Sequence, residues 1–424
     1  MNRNREYSVV FDLLCLVGVL LGVRFLFFTA VPGEAVSRDL RGWLEVSDIL
    51  MRGGNPYNET GLLRYPPLWV QTLFFLGEIA RSTALSPAVL IRLFLVIAET
   101  FLAVTLYFAF RLRGFSGHAR PVVLAGICVN PLCVLQVCQH GNFDVLLGLW
   151  ILLFVLFLVR FSIGQKTENW IAACMFLGLA ILTKHLAVCL APLLLVSRDK
   201  LSPVEMFLGA AMALGPFMLG MSIVYALGPA DVYSKVIVYQ SVSGYFGFSG
   251  LFNIAGLNSC LRISRSAFSL VYLLLLTGLA IYIYVKDMRN PRKIILTACA
   301  CLIFIPLFGP GYGPQYIYWF LPLLLLAYPA SGRILRASLL LFFAAAVLTY
   351  IVEYAFIPSH GAFLLHITRS METLRRSIWL STRENQTLMR LPLFLTYLLI
   401  FSGICLDWKG RSVESRRDGS IRPA

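Results

Sequence analysis

Five polar residues from widely separated parts of a 424-residue chain could do chemistry together: Asp39, Asp144, Lys184, His185 and Gln315. A carboxylate in such a group can take a proton from a hydroxyl. A cation beside it can hold an anionic group where water is scarce. Each stands in a polar stretch between apolar runs. Asp144 closes Gln139-His140-Gly141-Asn142-Phe143-Asp144, and Thr183-Lys184-His185 interrupts two unusually short apolar segments, a pattern that marks binding sites in membrane proteins. Gln315 lies in Gly309-Pro310-Gly311-Tyr312-Gly313-Pro314-Gln315-Tyr316 ahead of Trp319. Tyr233, Lys235, Tyr239, Gln240, Tyr245, Phe246 and Phe248 form an aromatic loop whose rings either stack on sugars or line an interface. Plainer roles compete for the same residues. Lys184 can snorkel outward, and His140 and His185 can be core or interfacial. Arg92 and Glu99, seven apart on one helical face, suit a structural ion pair, and Arg24 is either a phosphate ligand or a snorkelling anchor.

The densest polar stretch runs from Val31 to Tyr65. It carries Glu34, Asp39, Glu45, Asp48 and Glu59 with Arg38, Arg41, Arg52 and Arg64. Trp43, Val46, Ile49 and Leu50 fall at helical spacing, which predicts a short interfacial helix with Asp39 near its N-terminus. Gly53-Gly54-Asn55-Pro56-Tyr57 is a turn that ends it. A solvated loop explains the charge, but not why a loop bracketed by aromatic residues returns to the membrane.

The elements that must position these residues are helices in a bilayer. Of the chain, 58% is hydrophobic and 13% charged, with mean hydropathy +0.78, which excludes a soluble enzyme, a disordered protein and a disulfide scaffold. Apolar runs predict about 12 spanning helices, at roughly 8–30, 88–110, 121–139, 143–161, 169–183, 185–197, 204–226, 266–285, 294–309, 316–330, 335–357 and 391–406. The first run is too long for a signal-peptide core and lacks an obvious cleavage site, so it is expected to be retained. Arg3 and Arg5 put the N-terminus in the cytoplasm by the positive-inside rule. Residues 66–82 are apolar enough to pass for a span, but counting them as one would throw every later basic loop outside. Treated as re-entrant or interfacial, they place all five polar residues on the outer face.

That topology also apportions the net charge of +15. The inner windows 1–7, 111–120, 160–168, 198–200, 286–293, 331–336 and 407–424 hold 20 basic and 7 acidic residues. The basic balance is therefore an orientation signal, and no nucleic-acid partner is expected. The whole of 1–424 is expected to be one membrane-embedded domain: a first outer loop with interfacial helices at 31–82, an outer amphipathic segment at 358–390 and a basic tail at 407–424. In the amphipathic segment Ile367, Met371, Leu374 and Ile378 repeat at helical spacing. The ten cysteines all lie in or beside apolar segments and none has metal-ligand spacing, so they are expected to be small buried hydrophobes.

The arrangement resembles the GT-C superfamily of integral-membrane glycosyltransferases. Asp39…Trp43…Leu50-x-x-Gly53-Gly54-Asn55-Pro56-Tyr57…Tyr65-Pro66-Pro67-Leu68 is similar to the D…L…G-x-PY…YPPL pattern of the first outer loop in many such enzymes. Asn130-Pro131 with Gln139…Asp144 is similar to the NP…GQ-x-D element of bacterial mannosyltransferases, although here His140 separates Gln139 from Gly141. Thr183-Lys184 with Pro192, and Gln315-Tyr316…Trp319…Pro322, match later elements. The nearest relatives suggested are family 87, the polyprenyl-phosphate-mannose-dependent mannosyltransferases, and bacterial relatives of GPI mannosyltransferases.

The resemblance implies an all-α GT-C bundle that moves a hexose, mannose first, from a polyprenyl-phosphate donor to an extracytoplasmic glycan or lipid acceptor with inversion. It implies Asp39 as the catalytic carboxylate. For the donor phosphate, Lys184 is the first choice, followed by His185, Arg24 and His140. Sugar and acceptor contacts are expected from Asp48, Tyr57, Tyr65, Gln139, Asp144, Tyr245, Gln315 and Tyr316. No metal ligands are assigned; a divalent cation (Mg or Mn) stays open, with Asp39 and Asp48 available. The expected location is a bacterial cytoplasmic membrane with the site facing outward, or the lumenal face of the ER membrane in a eukaryote. The rival is a multi-spanning transporter or lipid-linked glycan flippase. That reading predicts charges near mid-membrane and inverted repeats, and the sequence has neither.

Overall fold

The computed structural model describes residues 3–30, 37–112, 115–228, 232, 235–236, 246–254, 258–286, 288, 290–309, 314–356 and 383–410. Among the described residues every regular element is helical. Among the described residues seven helices are long and apolar enough to cross a membrane: Ser8–Thr29, Pro87–Leu112, Asp144–Gly164, Pro203–Ala226, Pro291–Phe308, Arg333–Tyr350 and Arg390–Trp408. An eighth is added if the pair Gly117–Cys128 and Pro131–His140, bent by 48°, is one span. The other four of the twelve predicted spans coincide with shorter apolar helices, at Thr167–Thr183, His185–Val196, Leu273–Val285 and Ile317–Ala330.

We number the helices in chain order. The first, α1, is Arg3–Ala30, the long apolar run. The outer-loop helix α2, Arg38–Met51, starts where Ser37 caps it by accepting from the Leu40 N–H at 3.0 Å. Leu40, Trp43, Val46 and Ile49 make its buried stripe; of the four residues whose spacing predicts the helix, Leu50 is only half-buried. It stops at Gly53, whose φ of +80° suits glycine. Asn55 caps the single turn α3, Pro56–Glu59, and a proline at its first position opens α4, Pro67–Ser82.

With 16 residues, α4 is about 24 Å long, short of the roughly 30 Å hydrocarbon core. It packs Pro67, Trp69, Val70, Leu73, Leu76 and Gly77 inward and leaves Phe74 and Phe75 exposed. It crosses α2 at Gly77, where a Cβ would sit 2.5 Å from Met51 Sδ and 2.9 Å from Ser47 Oγ. The long helix α5, Pro87–Leu112, follows. Then comes the bent pair: α6, Ser116–Val123, runs into a π-helical turn, and α7, Pro131–Val134, runs into a second, Leu135–His140. Asn130-Pro131 makes the bend, because Asn130 caps α7 and the residue before a proline resists the helical conformation.

The central helix is α8, Asp144–Gly164, buried along most of its length. Lys184 is extended and separates α9, Thr167–Thr183, from a 16-residue 3-10 helix, His185–Lys200. A 3-10 run this long is unusual. The remaining helices are α10 Pro203–Leu227, α11 Gly247–Ile254, α12 Asn258–Val285, α13 Pro291–Phe308, α14 Ile317–Ala327, α15 Arg333–Phe356 and α16 Arg383–Gly410. The last begins eight residues ahead of the predicted span at 391, inside the stretch expected to be an outer loop. The rest of the predicted amphipathic segment, 358–382, and Tyr245 lie outside the described residues.

Polar contacts tie the basic end of the bundle together. Arg120 and Tyr107 bond Asp12 at 3.1 and 2.9 Å, and Arg111 donates to Tyr107 at 2.9 Å. Arg292 and the Gly332 N–H both bond Asp407. The predicted inner loops around 111–120 meet α1, and those around 286–293 and 331–336 meet the tail helix.

Candidate active site

The cap that begins α2 also docks it. Ser37 Oγ donates to the His140 carbonyl at 2.6 Å, and Trp43 Nε1 donates to the Gly141 carbonyl at 3.1 Å. Gly141 has φ +64°, a left-handed turn that lets the chain leave its π-helical turn and enter α8. These two bonds bring the first turn of α2 against the polar stretch 139–144.

Asp39 therefore faces His140 and Asn142. Its Oδ2 accepts from His140 Nε2 at 2.8 Å and from Asn142 Nδ2 at 3.0 Å. Its side chain is 30% exposed, and Oδ1 takes no hydrogen bond from the described residues. Burial works against the Asp39 charge, but His140, Asn142 and Lys184 together outweigh it and hold the carboxyl below the usual carboxylate range.

Lys184 extends from the break between α9 and the 3-10 helix to Asp144 Oδ1, 2.5 Å away. Four rings surround its ammonium: Trp319 at 5.0 Å, Tyr65 and Tyr316 at 5.1 Å and Phe143 at 5.4 Å. Ring faces carry negative charge density, so each attracts the cation by about 0.5–2 kcal/mol. The four rings come from three parts of the chain. Trp69 stacks on Phe143 at 4.7 Å, and Tyr316 on Trp319 at 4.0 Å. The Tyr57 hydroxyl donates to the Tyr65 carbonyl at 2.8 Å, so Tyr57 is buried and supports the ring of Tyr65. A close approach sets α14 against α8, since a Cβ on Gly148 would lie 2.5 Å from the Tyr318 carbonyl.

Of the residues singled out in the sequence, the structure brings together Asp39, His140, Asp144, Lys184, Tyr65 and Tyr316. Gln315 precedes Tyr316, His185 follows Lys184 half-buried, and Gln139 is fully buried one residue before His140. Arg24 stands elsewhere. Its guanidinium forks onto Glu99 at 2.9 and 2.8 Å and donates to the carbonyls of Cys128 at 2.7 Å and Ile127 at 3.1 Å. The Tyr318 hydroxyl adds a 2.5 Å bond to Glu99. The ion pair expected between Arg92 and Glu99 is thus replaced by one between helices, because α1 delivers a bidentate partner to Glu99. Asp48 is exposed, nine residues beyond Asp39 on α2 and so about 14 Å along it. It cannot share a cation with Asp39. Among the described residues no group of three or more His, Cys, Asp and Glu could hold a metal.

Sequence reasoning missed Tyr350, whose hydroxyl lies 2.9 Å from His140 Nδ1, and gave Phe143 and Trp319 no cage role. Tyr350 sits in an apolar helix with nothing around it to flag it.

Known proteins share features of the sequence and the fold. The family model for dolichyl-phosphate-mannose-protein mannosyltransferase matches residues 68–221, which include the bent pair, Asp144 and Lys184 but not Asp39. The crystal structure of ArnT from Cupriavidus metallidurans bound to undecaprenyl phosphate superposes with TM-score 0.50 at 16% identity, covering 96% of this chain and 79% of that one. Its apo state gives TM-score 0.50 at 15% identity, over 98% and 80%. No curated protein matches in sequence. The fold comparison and the partial family match bear out the resemblance at the level of the superfamily: the chain is a multi-pass membrane protein with the GT-C glycosyltransferase fold.

Proposed function

We propose that this protein transfers a hexose, mannose in the first instance, from a polyprenyl-phosphate donor to an extracytoplasmic glycan or lipid acceptor, with inversion at C1. The observation that carries this reading is the pairing of Asp39, whose Oδ1 takes no hydrogen bond from the described residues, and the ring-caged Lys184 at one end of α8. The acceptor hydroxyl attacks C1 as Asp39 Oδ1 takes its proton. The C1–O bond to phosphate breaks with its electron pair staying on the phosphate. Lys184 spends one N–H donor on Asp144, and the other two can meet the charge that grows on the leaving phosphate. The undecaprenyl phosphate bound to ArnT supports a polyprenyl-phosphate donor. The matched family model, described by dolichyl-phosphate-mannose, supports mannose. Tyr65 and Tyr316 offer ring faces to a sugar beside the ammonium, and Gln315 a side-chain amide.

A transfer assay on the purified protein, with polyprenyl-phosphate mannose, glucose and arabinose competing, tests the reading. Mannose is expected to be transferred fastest. Preference for another sugar overturns the mannose assignment, and transfer from none of the three overturns the reaction.

Lys184→Met strips the cage of its cation and is expected to lower kcat by about 10²–10³-fold, with weaker use of donor than of acceptor. Because Asp144 is then buried without its partner, Lys184→Met combined with Asp144→Asn is the fairer variant. It should recover thermal stability but not transfer. Recovery of both would make the pair a structural strut.

A further inference from the structure

We propose that His140 and Tyr350 are positioning residues that fasten Oδ2 of Asp39, so that Oδ1 is the oxygen presented to the acceptor. The proposal rests on the reading of Asp39 as the base. It deepens that reading by giving the base a fastening at its other oxygen and a support on the distant helix α15.

The contact with Asp39 sets one end of the relay. An ionised carboxylate can only accept, so the 2.8 Å contact requires His140 Nε2 to carry a proton. In the neutral ring Nδ1 is then a lone pair, and the Tyr350 hydroxyl 2.9 Å away can fill it by donating. Tyr350 thereby selects the tautomer that serves Asp39, as a partner at one ring nitrogen sets the state of the other. His140 is 7% exposed in its side chain and Tyr350 1%, so water is a poor substitute for either bond. Asn142 bonds the same oxygen at 3.0 Å, so both supports converge on Oδ2, and none of the described residues bonds Oδ1.

His140 is the residue that interrupts the Gln-Gly pairing of the mannosyltransferase-like element, between Gln139 and Gly141. Its backbone is held separately: the carbonyls of His140 and Gly141 accept from Ser37 and Trp43. Changing the imidazole therefore leaves two fasteners between α2 and the 140–142 turn in place. That separation makes the ring's contribution measurable.

The test uses the full chain in detergent or liposomes, with kcat, both KM values and thermal midpoint measured for His140→Ala, His140→Gln, Tyr350→Phe, the double variant His140→Gln with Tyr350→Phe, and Asp39→Asn. Loss of the imidazole in His140→Ala is expected to lower kcat by about 10–100-fold, as misplacing a reacting group does, with KM for both substrates little changed. The glutamine amide can present an N–H near the Nε2 position, so His140→Gln should regain most of that loss. Tyr350→Phe should lower kcat several-fold in the wild-type background and have no further effect in His140→Gln, because the tautomer it selects no longer exists. Wild-type kcat in Tyr350→Phe, or additive losses in the double variant, would overturn the relay. A fall in thermal midpoint matching the fall in kcat would reduce it to packing. If Asp39→Asn abolishes transfer while the His140 and Tyr350 variants are unaffected, the positioning role fails alone. If Asp39→Asn transfers at the wild-type rate, the base assignment itself fails.

Discussion

Asp39→Asn should lower sugar transfer by about 10²–10⁴-fold, the usual worth of a positioned general base, while leaving membrane insertion and thermal midpoint close to wild type. The amide keeps the shape and can still accept from Asn142 and His140 through its oxygen, so the fold has little reason to change. It cannot take the proton of an acceptor hydroxyl. The pH dependence carries a second signature. Burial disfavours the Asp39 charge, yet His140, Asn142 and Lys184 together hold its carboxyl below the usual carboxylate range. For a carboxyl lowered in the folded state, the ionised form persists as pH falls through the ordinary carboxylate range and is lost only below it. Plots of kcat/KM against pH should therefore show no acid limb from this residue until below that range. An acid limb at or above it, absent in a variant at Asp39, would mean that burial outweighs His140, Asn142 and Lys184.

Glu99→Gln is expected to be the most destabilising single change among the buried polar residues, by about 3–5 kcal/mol, because it leaves Arg24 without its counter-charge. Arg24 is 1% exposed and Glu99 0%, and their fork closes with two bonds of 2.9 and 2.8 Å. Two backbone carbonyls and the Tyr318 hydroxyl complete the set. Thermal midpoint and expression level in detergent read the loss. Replacing both partners by methionine should recover much of it, since the isolated charge costs more than the absent pair. A midpoint unchanged in Glu99→Gln would show that water or lipid headgroups reach Arg24.

What was legible in the sequence was whatever hydropathy and local chemistry encode. All twelve apolar runs are helical over at least part of their length. Ser37, Gly53 and Asn55 start and stop the outer-loop helices as their types dictate. The convergence of Asp39, Asp144 and Lys184 followed from sidedness, because loops on one face of a bundle have little room to be far apart. Pairing across helices was not legible. Arg92 and Glu99 share a face of α5, and nothing in one sequence says that α1 will turn Arg24 toward Glu99 instead. Tyr350 was invisible for a related reason. A tyrosine in an apolar run reads as packing until a partner nitrogen from 210 residues away meets its hydroxyl. Helix length was also hard to read, since proline bends, π-helical turns and a 3-10 run change the rise per residue without changing the composition.

The chain makes Arg24 75 residues before it makes Glu99. At a synthesis rate of about 5–20 residues per second, the arginine waits several seconds for its counter-charge. Arg24 lies five residues before the end of the apolar run Ser8–Thr29, so its cost on insertion falls below the roughly 2.5–3.5 kcal/mol of an arginine at mid-helix. The carbonyls of Ile127 and Cys128 arrive later still. The first segment must therefore enter the bilayer provisionally and take its final seat only after α5 and the bend at Asn130 have left the ribosome, so the order of translation becomes part of how the bundle is assembled.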